Sequence, residues 1–142
     1  LASRHLDPEP RVTLGQALLA SGMVQTAIDI SDGVATDLAH MCKNSNVGAE
    51  VRAGEIPVSR SLKSASRFLG VSPLEFALTG GEDFELLWTV SRKDRDEVQK
   101  IASKILGHIP FHIGRIVRGE SVILRTSQGA KDIAYQGYEH YI

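Results

Sequence analysis

The sequence predicts an α/β (α+β) domain, a mixed β-sheet with helices packed on it. Three observations carry this. Apolar runs of strand length, such as residues 26–30 and 84–90, alternate with stretches whose apolar residues recur at helical spacing. The changes between them fall at glycine, proline and capping residues. Two further strands, residues 111–117 and 121–126, meet at Gly119-Glu120 and read as a hairpin, so the sheet is not purely parallel.

Each element has a local reason. Residues 12–21 form a helix with Leu14, Ala17 and Leu18 on one face, ended by Gly22. Residues 26–30 are a short apolar strand, and Asp32-Gly33 is a turn signal. Val34, Leu38, Met41 and Cys42 then follow a helical period to about residue 46, and residues 48–53 read as a strand. Pro57 breaks the pattern. Ser59 caps a helix with Leu62, Ala65 and Leu69 inside, and Ser72 with Pro73 opens a short helix through Leu78. Residues 79–83 are a polar loop with a glycine pair. Residues 84–90, apolar apart from Glu85 and Thr89, suit a central strand covered on both faces. Ser91 caps the next helix, with Asp94 in a capping-box position. Its stripe is Val98, Ile101, Ala102 and Ile105, its charges form a solvated face, and Gly107 stops it. The tail, YQGYEHYI, is rich in tyrosine.

Length and composition bound the function. With 142 residues, 42% hydrophobic, the chain suffices for one domain and is short for two. Residues 1–11, punctuated by Pro8 and Pro10, read as an interdomain linker into a single domain over 12–142. The chain starts with Leu1 rather than methionine, so it is expected to be the C-terminal part of a longer protein. Net charge is −1 without a basic stripe, which argues against nucleic acid as a partner. No run approaches the roughly 18 apolar residues of a membrane span, and no signal-peptide pattern opens the chain. The single cysteine, Cys42, excludes an internal disulfide and fits a reducing, cytoplasmic setting as a small buried hydrophobe.

Three constellations could carry chemistry. In Asp29-Ile30-Ser31-Asp32-Gly33 a strand ends in a turn that opens a helix. Two readings are open. Ser31 or Asp32 simply caps the helix. Alternatively, free N–H groups and the Ser31 hydroxyl take a phosphate while Asp29 and Asp32 hold Mg²⁺, which accepts one or two protein carboxylates beside phosphate and water. Asp29, an acid in an apolar strand, calls for a partner. The second constellation is Gly80-Gly81-Glu82-Asp83 with Glu85 behind it: glycines allow close backbone approach to a ligand, and the acids could bind a cation or accept from amino groups. A flexible connection with surface acids is the plain alternative. The third is Tyr135, Tyr138 and Tyr141 with His140, aromatic faces for a flat or cationic ligand or for packing on the body. No Walker A loop, GxGxxG, nucleophile elbow or zinc-ligand cluster is present, and no side chain stands out as a catalytic nucleophile or base.

AIDISDGVATDLAH, followed about fifty residues later by ALTGGEDFELLWTV, resembles the C-terminal domain of the thiamine-monophosphate kinase family. The resemblance runs from Pro8-Glu9-Pro10-Arg11 to GYEHY, with Val34, Phe84 and Trp88 standing where leucine, tyrosine and phenylalanine are usual. It implies the fold of the aminoimidazole ribonucleotide synthetase-like superfamily and an ATP- and Mg²⁺-dependent, direct transfer of phosphate to thiamine monophosphate, giving thiamine diphosphate. It further implies that Asp29 and Asp32 are Mg²⁺ ligands and that Ser31 contacts ATP. Asp83 would touch the thiamine moiety and Tyr138 would pack on it, with Gly33, Gly80, Gly81 and Glu82 in support. The family's N-terminal domain supplies most of the metal and ATP sites and a homodimer interface, so this chain alone is expected to be inactive. Two alternatives stand beside this: another superfamily member acting on a different substrate, and a non-catalytic ligand-binding module.

Overall fold

The computed structural model describes residues 7–136. Its apolar residues sort into two clusters, one on each face of a two-stranded sheet. That sheet pairs β1 (Val24–Asp29) with β3 (Leu86–Val90) antiparallel, Thr26 opposite Thr89 and Asp29 opposite Leu86. On one face lie α1 (Val12–Ala20), through Leu14 and Leu18, and α5 (Arg95–Leu106), through Val98 and Ala102. On the other lies α2 (Val34–Asn44), whose Val34, Ala35, Leu38, Met41 and Cys42 are buried.

The other side of α2 meets a four-stranded sheet in the order β4 (Gly114–Val117), β2 (Gly48–Arg52), β5 (Val122–Thr126), β6 (Gly129–Asp132). The pairings run antiparallel, parallel, antiparallel. The mixed sheet with helices on it is therefore present, divided in two. Between β2 and β3 the chain forms a short 3₁₀ turn and two helices, α3 (Arg60–Leu69) and α4 (Pro73–Thr79). Ser59 and Ser72 accept from the N–H groups of Leu62 and Leu74's neighbour Glu75, the capping roles their positions suggest. Gly22 and Gly107 adopt positive φ beyond α1 and at the end of α5.

Four local expectations are corrected. Residues 111–117 and 121–126 are not a hairpin: β2 lies between β4 and β5. The four residues 118–121 need to cross only about 10 Å, two strand spacings, which an extended tetrapeptide reaches. Backbone pairing decides it: β2, whose Ala49 and Val51 lie in the core, satisfies its N–H and C=O groups against β4 on one edge and β5 on the other. The tight hairpin is β5–β6, closed where Thr126 faces Gly129. Residues 84–90 are not a central strand; β3 pairs with β1 and is half-buried throughout, although Leu86 and Trp88 face one cluster and Leu87 the other. In α3 the buried residue is Ser66, while Leu69 is exposed beside the left-handed Gly70 that turns the chain away. Ser91 does not cap α5: Asp94 holds the cap position and its carboxylate accepts from the Ser91 hydroxyl.

Across β4, β2 and β5, the Glu50 carboxylate accepts from Arg115 and Arg125, at 2.7 and 2.5 Å. The hydrogen bonds from Arg125 and Arg115 hold its carboxyl below the ordinary range. A lowered folded-state pKa contributes stability above the unfolded value, about 4.3 for Glu, that is lost as pH falls through the folded one. The melting temperature of wild type should therefore drop across this acid window more steeply than that of Glu50→Gln. Parallel acid limbs in a pH series of thermal melts would contradict the assignment.

Candidate functional site: the junction of two loops

β1 delivers Asp29 to its exposed end and Ile30 to the core. Beyond it the chain does not leave β3 but stays bonded to the loop before that strand. The Ile30 N–H donates to the Glu85 carbonyl at 2.9 Å, and the Ile30 carbonyl accepts from Phe84 N–H at 2.9 Å. The Ser31 carbonyl accepts from Glu82 N–H at 2.8 Å. The DISDG turn and the GGED loop, fifty residues apart in sequence, are thus one backbone unit.

Glycines make this closeness possible. A side chain at Gly81 would run into the Ser31 carbonyl oxygen. Gly33 has φ +103°, and a Cβ there would lie 2.9 Å from the Thr79 carbonyl carbon. At Gly80 a Cβ would stand 2.6 Å from the Phe76 oxygen. Glu82 and Phe84, flanking Asp83, both adopt positive φ, +62° and +50°. Such strain costs on the order of 1 kcal/mol or more per residue and persists only where its surroundings enforce it.

The opening of α2 answers the capping question. The cap residue is Gly33, which offers no side chain, so neither Ser31 nor Asp32 caps the helix. The carboxylate of Asp37, one turn inside α2, reaches back instead. Its Oδ2 accepts from the N–H groups of Ser31 at 2.9 Å and Asp32 at 3.0 Å. These N–H groups therefore do not point outward to a phosphate, as a bare strand–turn–helix would have them. Asp37 is 2% exposed; burial pushes its carboxyl up, and the two N–H donors pull it back. Sequence reasoning passed it over. The available signal was an acid on the apolar face, between Val34 and Met41 at helical spacing.

Around this junction, Ser31 and Asp32 are half-buried, and Asp29, Glu82 and Asp83 are exposed. Glu85 is committed elsewhere: its two oxygens take Arg11 Nη2 at 2.7 Å and Nε at 2.9 Å. These bonds raise the Arg11 guanidinium and tie the entry segment to the loop. Tyr135 meets the ring of His40 edge-on, 5.3 Å between centroids, which brings the start of the tail against α2 one turn beyond Asp37. Tyr138, Tyr141 and His140 lie outside the described residues.

Among the described residues no three metal-ligating side chains gather in one place. Asp29, Ser31 and Asp32 are oxygen-donor residue types within four positions of one another, two of them carboxylates. That set suits a hard cation that completes its shell with water and ligand oxygens. Among the described residues, no helix is long and apolar enough to cross a membrane.

A family model described as AIR synthase related protein, C-terminal domain, matches residues 3–127. The thiamine-monophosphate kinase of Haemophilus influenzae is 40% identical over 105 residues, 74% of this chain and 31% of that relative. The corresponding kinase of Buchnera aphidicola subsp. Schizaphis graminum is 36% identical over 144 residues, 100% of this chain and 43% of the relative. The chain thus spans less than half the length of these curated relatives. Among solved structures, thiamine-monophosphate kinase from Stenotrophomonas maltophilia K279a superposes with a TM-score of 0.73 at 37% identity, covering 85% of this chain and 37% of that one. AaThiL complexed with AMPPCP and TMP gives a TM-score of 0.71 at 28% identity, covering 92% and 40%.

Proposed function

We propose, since this chain belongs to the family of AIR synthase related protein C-terminal domains, that it is part of a kinase converting thiamine monophosphate and ATP to thiamine diphosphate and ADP. The relatives that support this reading are named thiamine-monophosphate kinases, and one is complexed with AMPPCP and TMP. The observation in this chain that carries it is the backbone union of the DISDG turn with the GGED loop. One junction can then serve both ends of a transfer, nucleotide phosphates on one side and acceptor on the other.

The roles divide by chemistry. Asp29 and Asp32 hold Mg²⁺, and the Ser31 hydroxyl donates to an ATP phosphate oxygen. Bound Mg²⁺ supplies neutralisation of the charge that builds on the transferring phosphoryl group. Asp83 sits on the exposed, strained arc of the GGED loop, where its negative charge attracts the permanently cationic thiazolium. Tyr138 offers that ring an aromatic face. Transfer is direct and in-line, as the family resemblance implies, and the residues of this chain act by positioning. Gly33, Gly81 and Glu82 keep the two loops at contact distance, and Gly80 turns the chain tightly against Phe76 at the end of α4. The remaining metal and ATP contacts, and a homodimer interface, belong to an N-terminal domain.

A coupled assay of ADP release tests the reading. The full-length protein should turn over only with thiamine monophosphate, ATP and Mg²⁺ together, and residues 1–142 alone should not. Turnover by the isolated chain would remove the need for a second domain. Full-length turnover that ignores thiamine monophosphate would remove the assigned substrate.

A further inference from the structure

We infer that Asp37 is the positioning residue of the DISDG turn, and that by taking the Ser31 and Asp32 N–H groups it leaves this turn to meet its ligands through side chains, carboxylates for the cation and the Ser31 hydroxyl for phosphate, rather than through backbone N–H groups. The inference rests on the function proposed above and goes beyond it in assigning work to a residue that touches neither substrate.

A strand that runs through a turn into a helix usually aims free N–H groups outward, and these attract anions. Here two of them are spent inward on one carboxylate oxygen, at 2.9 and 3.0 Å. Gly33 is what lets the chain reverse so sharply, with its φ of +103° and its close approach to the Thr79 backbone. The helix that follows has no side-chain cap, so Asp37 is the side chain that orders the turn, beside the backbone bonds to residues 82–85. Two consequences follow. The backbone of Ser31 and Asp32 is held, which fixes where their side chains leave the chain. A buried negative charge also stands behind the turn, so the field in front disfavours an anion and favours a cation. Contact between Ser31 and a nucleotide must then run through its hydroxyl. Partners that orient metal ligands typically change metal affinity by about 10- to 100-fold when lost.

The test uses the full-length protein with Asp37→Asn and Asp37→Ala. Asparagine keeps one oxygen acceptor for the two N–H groups but removes the charge, whereas alanine removes both. The first readout is amide hydrogen exchange at Ser31 and Asp32 without ligand. Protection should be strong in wild type, retained in Asp37→Asn and lost in Asp37→Ala. The second is Mn²⁺ affinity in the presence of a non-hydrolysable ATP analogue, followed by electron paramagnetic resonance. It should weaken about 10- to 100-fold in Asp37→Asn. Rapid exchange at both amides in wild type would overturn the inference, and so would unchanged Mn²⁺ affinity in Asp37→Asn. Should Asp37→Ala fail to fold, the asparagine variant decides alone. Neither readout needs thiamine monophosphate, so a wild-type enzyme that ignores this substrate would refute the proposed reaction and leave the role of Asp37 to be decided by exchange and Mn²⁺ binding.

Discussion

Asparagine at Asp32 in the full-length protein should lower kcat by on the order of 10²-fold or more, with a melting temperature close to wild type; Asp29→Asn should do the same. The two halves of this expectation have separate origins. The turn is held by backbone bonds from Ile30 and Ser31 to residues 82–85 and by Asp37, none of which uses the Asp29 or Asp32 side chain. Asp29 is exposed at the strand end and Asp32 half-buried, so loss of one charge opens no cavity. The catalytic half depends on holding Mg²⁺ against the transferring phosphate, where a neutral amide is a poorer ligand than a carboxylate. Rates measured across a Mg²⁺ titration, beside thermal melts, separate the two. Unchanged turnover at saturating Mg²⁺ would remove both aspartates from the site.

Gly33→Ala should have the largest effect on the fold itself, a loss of about 3 kcal/mol. Positive φ costs an L-residue on the order of 1–3 kcal/mol where tertiary structure forbids relaxation. The added methyl would also meet Thr79 backbone atoms at 2.9–3.0 Å, and backbone cannot rotate aside as a side chain can. The alternative to unfolding is separation of α2 from the end of α4, which would pull the DISDG turn off the GGED loop. Denaturant unfolding measures the first outcome and loss of amide protection at Glu82 reads the second. A variant as stable as wild type, with that amide still protected, would show that Gly33 is not needed for its conformation.

Much of the fold was legible because local chemistry and tertiary packing agree. Ser59 and Ser72 cap the helices they precede, and Leu14, Leu18, Val98 and Ala102 lie buried where helical periodicity puts them. Legibility failed where a residue's partner is distant. The hairpin reading of residues 111–126 fails because strand neighbours are chosen by which strand must be covered twice, and that strand is β2. Leu69 repeats the helical period yet is exposed, because α3 packs on little beyond α4. Among the acids, Glu85 was read with the loop's ligands, but its charge is answered by Arg11, 74 residues away.

By itself the sequence determined a mixed α/β fold, most of its helices and caps, and the two loops that carry the family likeness, since each depends on neighbours within a few residues. Only the tertiary structure decided that those loops are one unit. The same is true of which strand is central, and of Asp37 rather than Ser31 or Asp32 ordering the turn. The physical reason is common to all three: a buried backbone or carboxylate group must be satisfied, and which group satisfies it is settled by what packing brings near, not by what lies next along the chain.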